Sequence, residues 1–229
     1  MNGQSLWPGG PEYIGERVQA DALLLASFAA SVRASSLCEL GCGDGIGLLL
    51  AAWNHGEANI VGIEADRESA ERARENLRRN RLTERVQVVE GDLRGRDGRK
   101  FELVFANPPY FSPGRGAVSP TPRRAGERTE SATLSELCES AAARLSHGGR
   151  FCLIHRAERF CELCEALRDA ELEPKRIRVI LADAHHAPTL LLVEARRGGK
   201  SGLRWEPPLL IRGEDGRETA EYKSMTHWE

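Results

Sequence analysis

Asn107-Pro108-Pro109-Tyr110 ends a short apolar run, Phe101 to Ala106, with residues suited to holding the planar amino group of a base or an amide. A residue that precedes proline is kept out of the helical region, so Asn107 and Pro108 are expected to be extended. Neither proline carries an N–H, so the Asn107 side-chain oxygen and the Pro108 carbonyl form a rigid double acceptor with no donor of those prolines competing for them. Tyr110 adds a ring face on which a flat base can stack, a contact worth roughly 1–3 kcal/mol. Taken alone, the tetrapeptide also reads as a proline-rich turn after a strand.

Its upstream neighbours favour the chemical reading. Leu37-Cys38-Glu39-Leu40-Gly41-Cys42-Gly43-Asp44-Gly45-Ile46-Gly47 reads as a buried strand turning through glycines into an apolar helix, Leu48 to Trp53. Glycines accept positive φ and let a ligand approach the backbone, while the first N–H groups of the helix face the turn. The dinucleotide fingerprint G-x-G-x-x-G/A counted from Gly41 or Gly43 puts Ile46 or Leu48 at the third glycine, which disfavours a nicotinamide oxidoreductase. A second strand, Asn59 to Ile63, ends in Glu64, where an acid can accept from both hydroxyls of a ribose. A third, Val86 to Val89, runs into Glu90-Gly91-Asp92-Leu93, and Asp92 can accept from an adenine amino group. Singly, each acid also fits a solvated strand end; the order of the four features is what carries information.

In that order the chain resembles the class I S-adenosylmethionine (SAM) dependent methyltransferases, and among them the amino methyltransferases with an N-P-P-Y motif. Arg17-Val18-x-x-Asp21-Ala22-x-Leu24-Leu25-Ala26, Asn107 to Phe111, Leu153-Ile154-His155-Arg156-Ala157-Glu158-Arg159 and Glu221-Tyr222-Lys223 look like the tRNA(Val) adenine-37 N6-methyltransferase family. The resemblance implies SAM on Glu39, Gly41, Gly43, Gly45, Glu64, Asp92, Leu93 and Asn107, with Asn107, Pro108 and Tyr110 catalytic. It also implies a tRNA substrate and a cytoplasmic location. Pro109 and Phe111 would receive the base, with Arg115, Arg123, Arg124 and Arg128 in the long insert Phe111 to Glu130, read as a substrate lid against the alternative of a solvated loop. Two departures from the family stand out: His185-His186 replaces the basic residues common in that loop, and the usual longer glycine- and glutamine-containing lead is missing.

With 229 residues, 41% of them hydrophobic, the chain can bury one substantial α/β core. A formal net charge of −2 gives no overall basic bias, so any RNA site must be local. Six cysteines lie on expected core elements and the glycine turn, without a staple pattern, which suits a reducing compartment. Cys161-x-x-Cys164, inside an expected helix Ala157 to Ala170, reads as packing, because no second pair completes a zinc site; no metal and no obligate protein partner are expected. The apolar run Ala22 to Val32 is too short to span a bilayer, and Glu16 and Asp21 precede it where a signal peptide would carry basic residues.

Strand and helix then alternate as in a parallel doubly wound sheet. The expected fold is a Rossmann-like three-layer α/β sandwich, its mostly parallel seven-stranded sheet closed by an antiparallel hairpin of Arg176 to Ala182 and Thr189 to Arg196. A loose segment and a helix (1–34) precede the methyltransferase domain (35–197), and a tail with a small hairpin around Gly213 to Gly216 (198–229) packs on it. Thr133-x-x-Glu136 forms a capping box. Three rivals follow from the same residues: a protein-glutamine N5-methyltransferase acting on release factors, disfavoured because about forty residues before Gly41 are too few for its helical domain; a non-catalytic SAM-binding RNA-associated protein; and the oxidoreductase.

Overall fold

The computed structural model describes residues 4–7, 9–15, 18–108 and 132–226. The tetrapeptide's second half, Pro109 and Tyr110, lies outside these residues, as do Phe111, Arg115, Arg123, Arg124 and Arg128. Two short strands, β1 (Gln4–Ser5) and β2 (Glu12–Tyr13), pair antiparallel, and helix α1 (Ala20–Ala30) follows. The segment expected to be loose is therefore a small hairpin, held to the body by contacts described below. Strand β3 (Ser36–Leu40) leads through the glycine turn to α2 (Ile46–Asn54), then come β4 (Asn59–Glu64), α3 (Arg67–Arg79), β5 (Val86–Glu90) and β6 (Phe101–Ala106). The remainder is α4 (Leu134–Arg144), β7 (Leu145–Arg156), α5 (Phe160–Asp169), β8 (Leu172–Leu181), β9 (Leu190–Arg197), β10 (Arg204–Trp205), β11 (Leu209–Leu210) and α6 (Ala220–Thr226).

The main sheet runs β5-β4-β3-β6-β7-β9-β8, parallel except for β9, which is antiparallel to both β7 and β8. This is the mostly parallel sheet with a terminal antiparallel hairpin read from the sequence. It is extended at one edge, where β10 and β11 both pair parallel with β8 and bring the sheet to nine strands. The small tail hairpin is reduced to one bridge, Arg212 to Glu218, because Leu209-Leu210 pairs with β8 and Ala220 opens a helix instead of ending a strand.

Alternation along the strands sends residues to two apolar layers. Leu37, Ile60, Leu103, Phe105, Cys152 and Ile154 pack under α1, α2 and α6; Cys38, Val61, Val104, Phe151, Leu153 and Val193 pack under α4 and α5. Burying either layer is the main favourable term, at about 25 cal/mol per Å2 of apolar surface. Helix ends follow the expected chemistry: the Asp66 carboxylate accepts from the Ser69 N–H at 2.8 Å, and Thr133 with Glu136 forms the reciprocal box. Helix Ala157 to Ala170 is shorter than expected, beginning as a 3-10 turn at Ala157–Arg159. Its Cys161 is exposed and Cys164 only half-buried, so that pair is not core packing, unlike the buried Cys38, Cys42, Cys138 and Cys152.

The topology decides where a ligand can go. After β3 the chain fills β4 and β5 on one side, then returns to place β6 on the other side of β3, with Leu37 opposite Leu103 and Glu39 opposite Phe105. At such a switch point the loops leaving adjacent strands diverge to opposite faces and open a crevice at the carboxyl ends.

Candidate functional site

The crevice holds a cavity of about 360 Å3, lined by Glu39, Gly41, Cys42, Gly43, Asp44 and Gly47 from the β3 end, Phe105, Asn107 and Pro108 from the β6 end, and Tyr13, Gln19, Ala22 and Ala26 from the amino-terminal elements. Sixty residues apart in the chain, the glycine turn and the Asn-Pro motif thus share one wall. Of the remaining donor-site candidates, Gly45, Glu64, Asp92 and Leu93 stand outside that lining.

Gly41, Gly43 and Gly45 have φ of 72°, 52° and 86°, a region that side-chain-bearing residues rarely adopt. This left-handed path folds the turn back, so that the Gly41 and Cys42 N–H groups both donate to the Ile63 carbonyl, at 2.9 and 3.1 Å. Gly45 becomes the N-cap of α2. Gly47 has a different reason: a Cβ there would lie 2.0 Å from Glu39 Oε1, so a glycine is required for the Glu39 side chain to lie beneath the helix start.

Glu39 is the most unusual group in the site. It is 5% exposed, and among the described residues its Oε2 has no hydrogen-bond partner. Burial, and secondarily the charge of Glu64, push its carboxyl well above the usual carboxylate range, against the Leu48 amide, which lowers it. A buried carboxyl with an unmet oxygen facing a cavity fits a cationic, hydrogen-bonding ligand group.

Glu64 does different work. Its Oε2 accepts from the Gly43 N–H at 2.7 Å and its Oε1 from the Asp66 N–H at 2.8 Å, which ties the end of β4 to the glycine turn. Each oxygen keeps a further lone pair. Asp92 is exposed and engaged by the Arg94 guanidinium at 2.5 and 2.9 Å, which holds its carboxyl below the usual range. The Leu93 carbonyl accepts from Ser140 Oγ, which links the end of β5 to α4.

Other residues singled out in the sequence have structural places. His155 is buried in β7, and burial lowers its pKa, favouring the neutral ring. Tyr222 of α6 packs in the α1 layer, and Arg178 pairs with Glu221 at 2.6 Å. The histidine loop carries an acid partner: Asp183 Oδ1 lies 2.6 Å from His186 Nδ1 and accepts from the His185 N–H at 2.8 Å. Sequence reasoning missed Tyr13, Gln19 and Asp44 as cavity residues; Asp44 alone had a signal, its place inside the glycine run.

No group of three or more potential metal ligands occurs among the described residues, and no helix among them is long and apolar enough to cross a membrane. The methyltransferase small domain family matches residues 16–170. The chain is 29% identical over 219 residues to the tRNA1(Val) (adenine(37)-N6)-methyltransferase of Dickeya chrysanthemi, covering 92% of this chain and 86% of that one. It is 28% identical over 222 residues to the enzyme of the same name from Porphyromonas gingivalis, covering 92% and 87%. Among solved structures, a predicted O-methyltransferase from Agrobacterium tumefaciens superimposes with a TM-score of 0.73 at 24% identity, covering 90% of this chain and 95% of that one. A geranyl diphosphate C-methyltransferase from Streptomyces coelicolor, solved with S-adenosyl-L-homocysteine, gives 0.56 at 16% identity, covering 75% and 78%. With the family match spanning more than half of its residues, this chain belongs to the methyltransferase small domain family.

Proposed function

We propose that this protein is a SAM-dependent N-methyltransferase acting on the exocyclic N6 of adenine in tRNA, at nucleotide 37 of tRNA(Val). The observation that carries the reading is the single cavity shared by the glycine turn, the buried Glu39 and the acceptor pair Asn107-Pro108. The names of the relatives supply the substrate. In this reading 35–197 is the catalytic domain, flanked by 1–34 and 198–229, and the free cysteines suit a cytoplasmic enzyme.

The residues present fit the cofactor. The unmet oxygen of Glu39 matches the ammonium of its amino-acid end, and the glycines at 41, 43 and 45 let a ligand approach the backbone of the turn. Glu64 would accept from the ribose, Asp92 from the adenine, and Leu93 would pack beside it. When bound, SAM supplies an electrophilic methyl on a sulfonium. The chain's task is then to present a nucleophile in line with it.

An adenine amino nitrogen is a poor nucleophile because its lone pair is delocalised into the ring. Asn107 Oδ1 and the Pro108 carbonyl accept its two N–H bonds, which favours a pyramidal nitrogen with its lone pair directed at the methyl group. The nitrogen becomes cationic as the new bond forms, so its proton is lost readily afterwards and no strong base is required. Tyr110, with Pro109 and Phe111, would stack the flipped base, and Arg115, Arg123, Arg124 and Arg128 would hold phosphates.

Incubation of the purified protein with unmodified tRNA(Val) and SAM should yield N6-methyladenosine at nucleotide 37, read by mass analysis of nuclease fragments. Methylated glutamine in a release factor, with the tRNA unmodified, would reassign the chain to the rival amide methyltransferases that share N-P-P-Y.

A further inference from the structure

The amino-terminal hairpin is fastened to α3 by two asparagine side chains one helical turn apart. Asn80 Oδ1 accepts from the Glu12 N–H at 2.9 Å, and its Nδ2 donates to the Glu12 carbonyl at 2.7 Å. Asn76 repeats the pattern two residues along, accepting from the Ile14 N–H at 2.7 Å and donating to the Ile14 carbonyl at 2.8 Å. Residues 12 and 14 present the same backbone edge, so the two amides act as a substitute strand, while Tyr13 pairs on the opposite edge with Gln4 of β1. Asn76 is fully buried, and its Nδ2 also donates to the Asp44 carbonyl at 2.8 Å. One side chain thereby locks the hairpin and the glycine turn into a fixed relation.

The consequence falls on Tyr13, which lines the cavity. Its hydroxyl and Asp44 Oδ2 converge on one point: a Cβ on Gly15 would lie 2.3 Å from the first and 2.7 Å from the second. Asp44 Oδ1 accepts from Arg72 Nε at 2.8 Å, and Arg72 in turn donates to Ser69 Oγ at 2.9 Å, so a phenol, a carboxylate and a guanidinium are gathered at the glycine-turn end. That set recognises a zwitterion rather than a flat base. We propose that Tyr13 is a donor-binding residue contacting the amino-acid end of SAM, and that Asn76 is the positioning residue that holds it there. The inference rests on the methyltransferase reading and adds to it a residue from outside the glycine and N-P-P-Y motifs.

Calorimetry of the full chain with S-adenosylhomocysteine tests it without turnover. Losing one hydrogen bond and its ring contact, Tyr13→Ala should bind about tenfold more weakly, and Tyr13→Phe about fivefold, with tRNA affinity unchanged. Asn76→Ala should weaken binding at least as much, and adding Tyr13→Ala to it should cost less than about twofold more, because a displaced Tyr13 has nothing left to lose. Should Asn76→Ala not fold, Gly15→Ala displaces the Tyr13 hydroxyl without touching the core and should reproduce the Tyr13→Phe loss. Wild-type affinity in Tyr13→Ala or Gly15→Ala, or losses that simply multiply in the double variant, would overturn the assignment. Absence of S-adenosylhomocysteine binding by the wild type would instead overturn the methyltransferase reading itself.

Discussion

The two ends of the same sheet use buried charge in opposite ways. At the amino ends of the strands a cleft of about 690 Å3 is lined by Arg33, Glu102, Arg150, Arg176, Glu194 and Arg204, nearly twice the volume of the cavity at the carboxyl ends. Its buried groups are satisfied internally. Glu194 accepts from Arg150 and, at 2.8 Å, from Arg176; Arg176 also reaches Glu206 at 3.3 Å, Ser31 Oγ at 2.7 Å and the Phe28 carbonyl at 3.1 Å, and lies 3.8 Å over the Phe28 ring. At the carboxyl ends, Glu39 is buried with an oxygen that no described group meets. Cavity size therefore does not single out the proposed site. Unmet polarity inside a cavity marks it instead: buried atoms of Asn54 and Arg144 also lack partners among the described residues, but of these residues Glu39 alone lines the carboxyl-end cavity, where a ligand can restore what a buried polar group without a partner costs.

The contrast breaks most visibly at Glu194. Replacing it with alanine leaves two guanidinium groups without their shared partner and should cost about 3–5 kcal/mol in chemical denaturation, with S-adenosylhomocysteine affinity of the folded fraction unchanged. At the other end, Asn107→Ala should lower methyl transfer by about 100-fold or more while donor affinity moves only a few-fold, since the lost acceptor acts mainly in the transition state. Transfer near the wild-type rate would show that the acceptor pair is not the reacting site.

Smaller effects sharpen the comparison. Glu64→Ala removes both the proposed ribose contact and the bond to the Gly43 N–H, and should weaken donor binding by about 1.5–3 kcal/mol in calorimetry. Glu39→Gln should separate stability from binding. Because burial raises the Glu39 carboxyl above its ordinary value of 4.5, the folded chain holds this proton more tightly than the unfolded chain does. Its contribution to stability is thus present below 4.5 and is lost as pH rises from there through the folded-state pKa. The ligand-free glutamine variant should escape that loss and melt a few degrees higher at neutral pH, the scale of about 1 kcal/mol in a domain of this size, while binding the donor more weakly. A glutamine variant that melts lower would show that Glu39 supports the fold rather than the ligand.

Much of this was legible in the sequence because the signals are local. Alternating apolar runs marked the strands, glycines marked a turn with φ of 52° to 86°, and Thr133 with Glu136 marked a helix start four residues long in sequence. The order of glycine turn, strand-end acids and Asn107-Pro108 specified the fold family and the reaction class together, since each lies just after a strand of the same parallel sheet.

Other features depended on contacts that no local pattern encodes. The clamps of Asn76 on Ile14 and Asn80 on Glu12 join residues 62 and 68 positions apart, and an asparagine in a helix looks the same in sequence whether it is solvated or grips a strand. The pairing of β10 and β11 with β8 was hidden because two-residue strands carry no periodicity. The sequence by itself determined the alternation of elements, the turn and the acceptor pair, all of which follow from the conformational preferences of neighbouring residues. Only the tertiary structure decided that Tyr13 and Asp44 meet beside the cavity, that Glu39 and Glu194 are both buried, and that Glu39 keeps an oxygen unmet while both oxygens of Glu194 are paired, because burial and pairing are properties of what the folded chain brings alongside a residue.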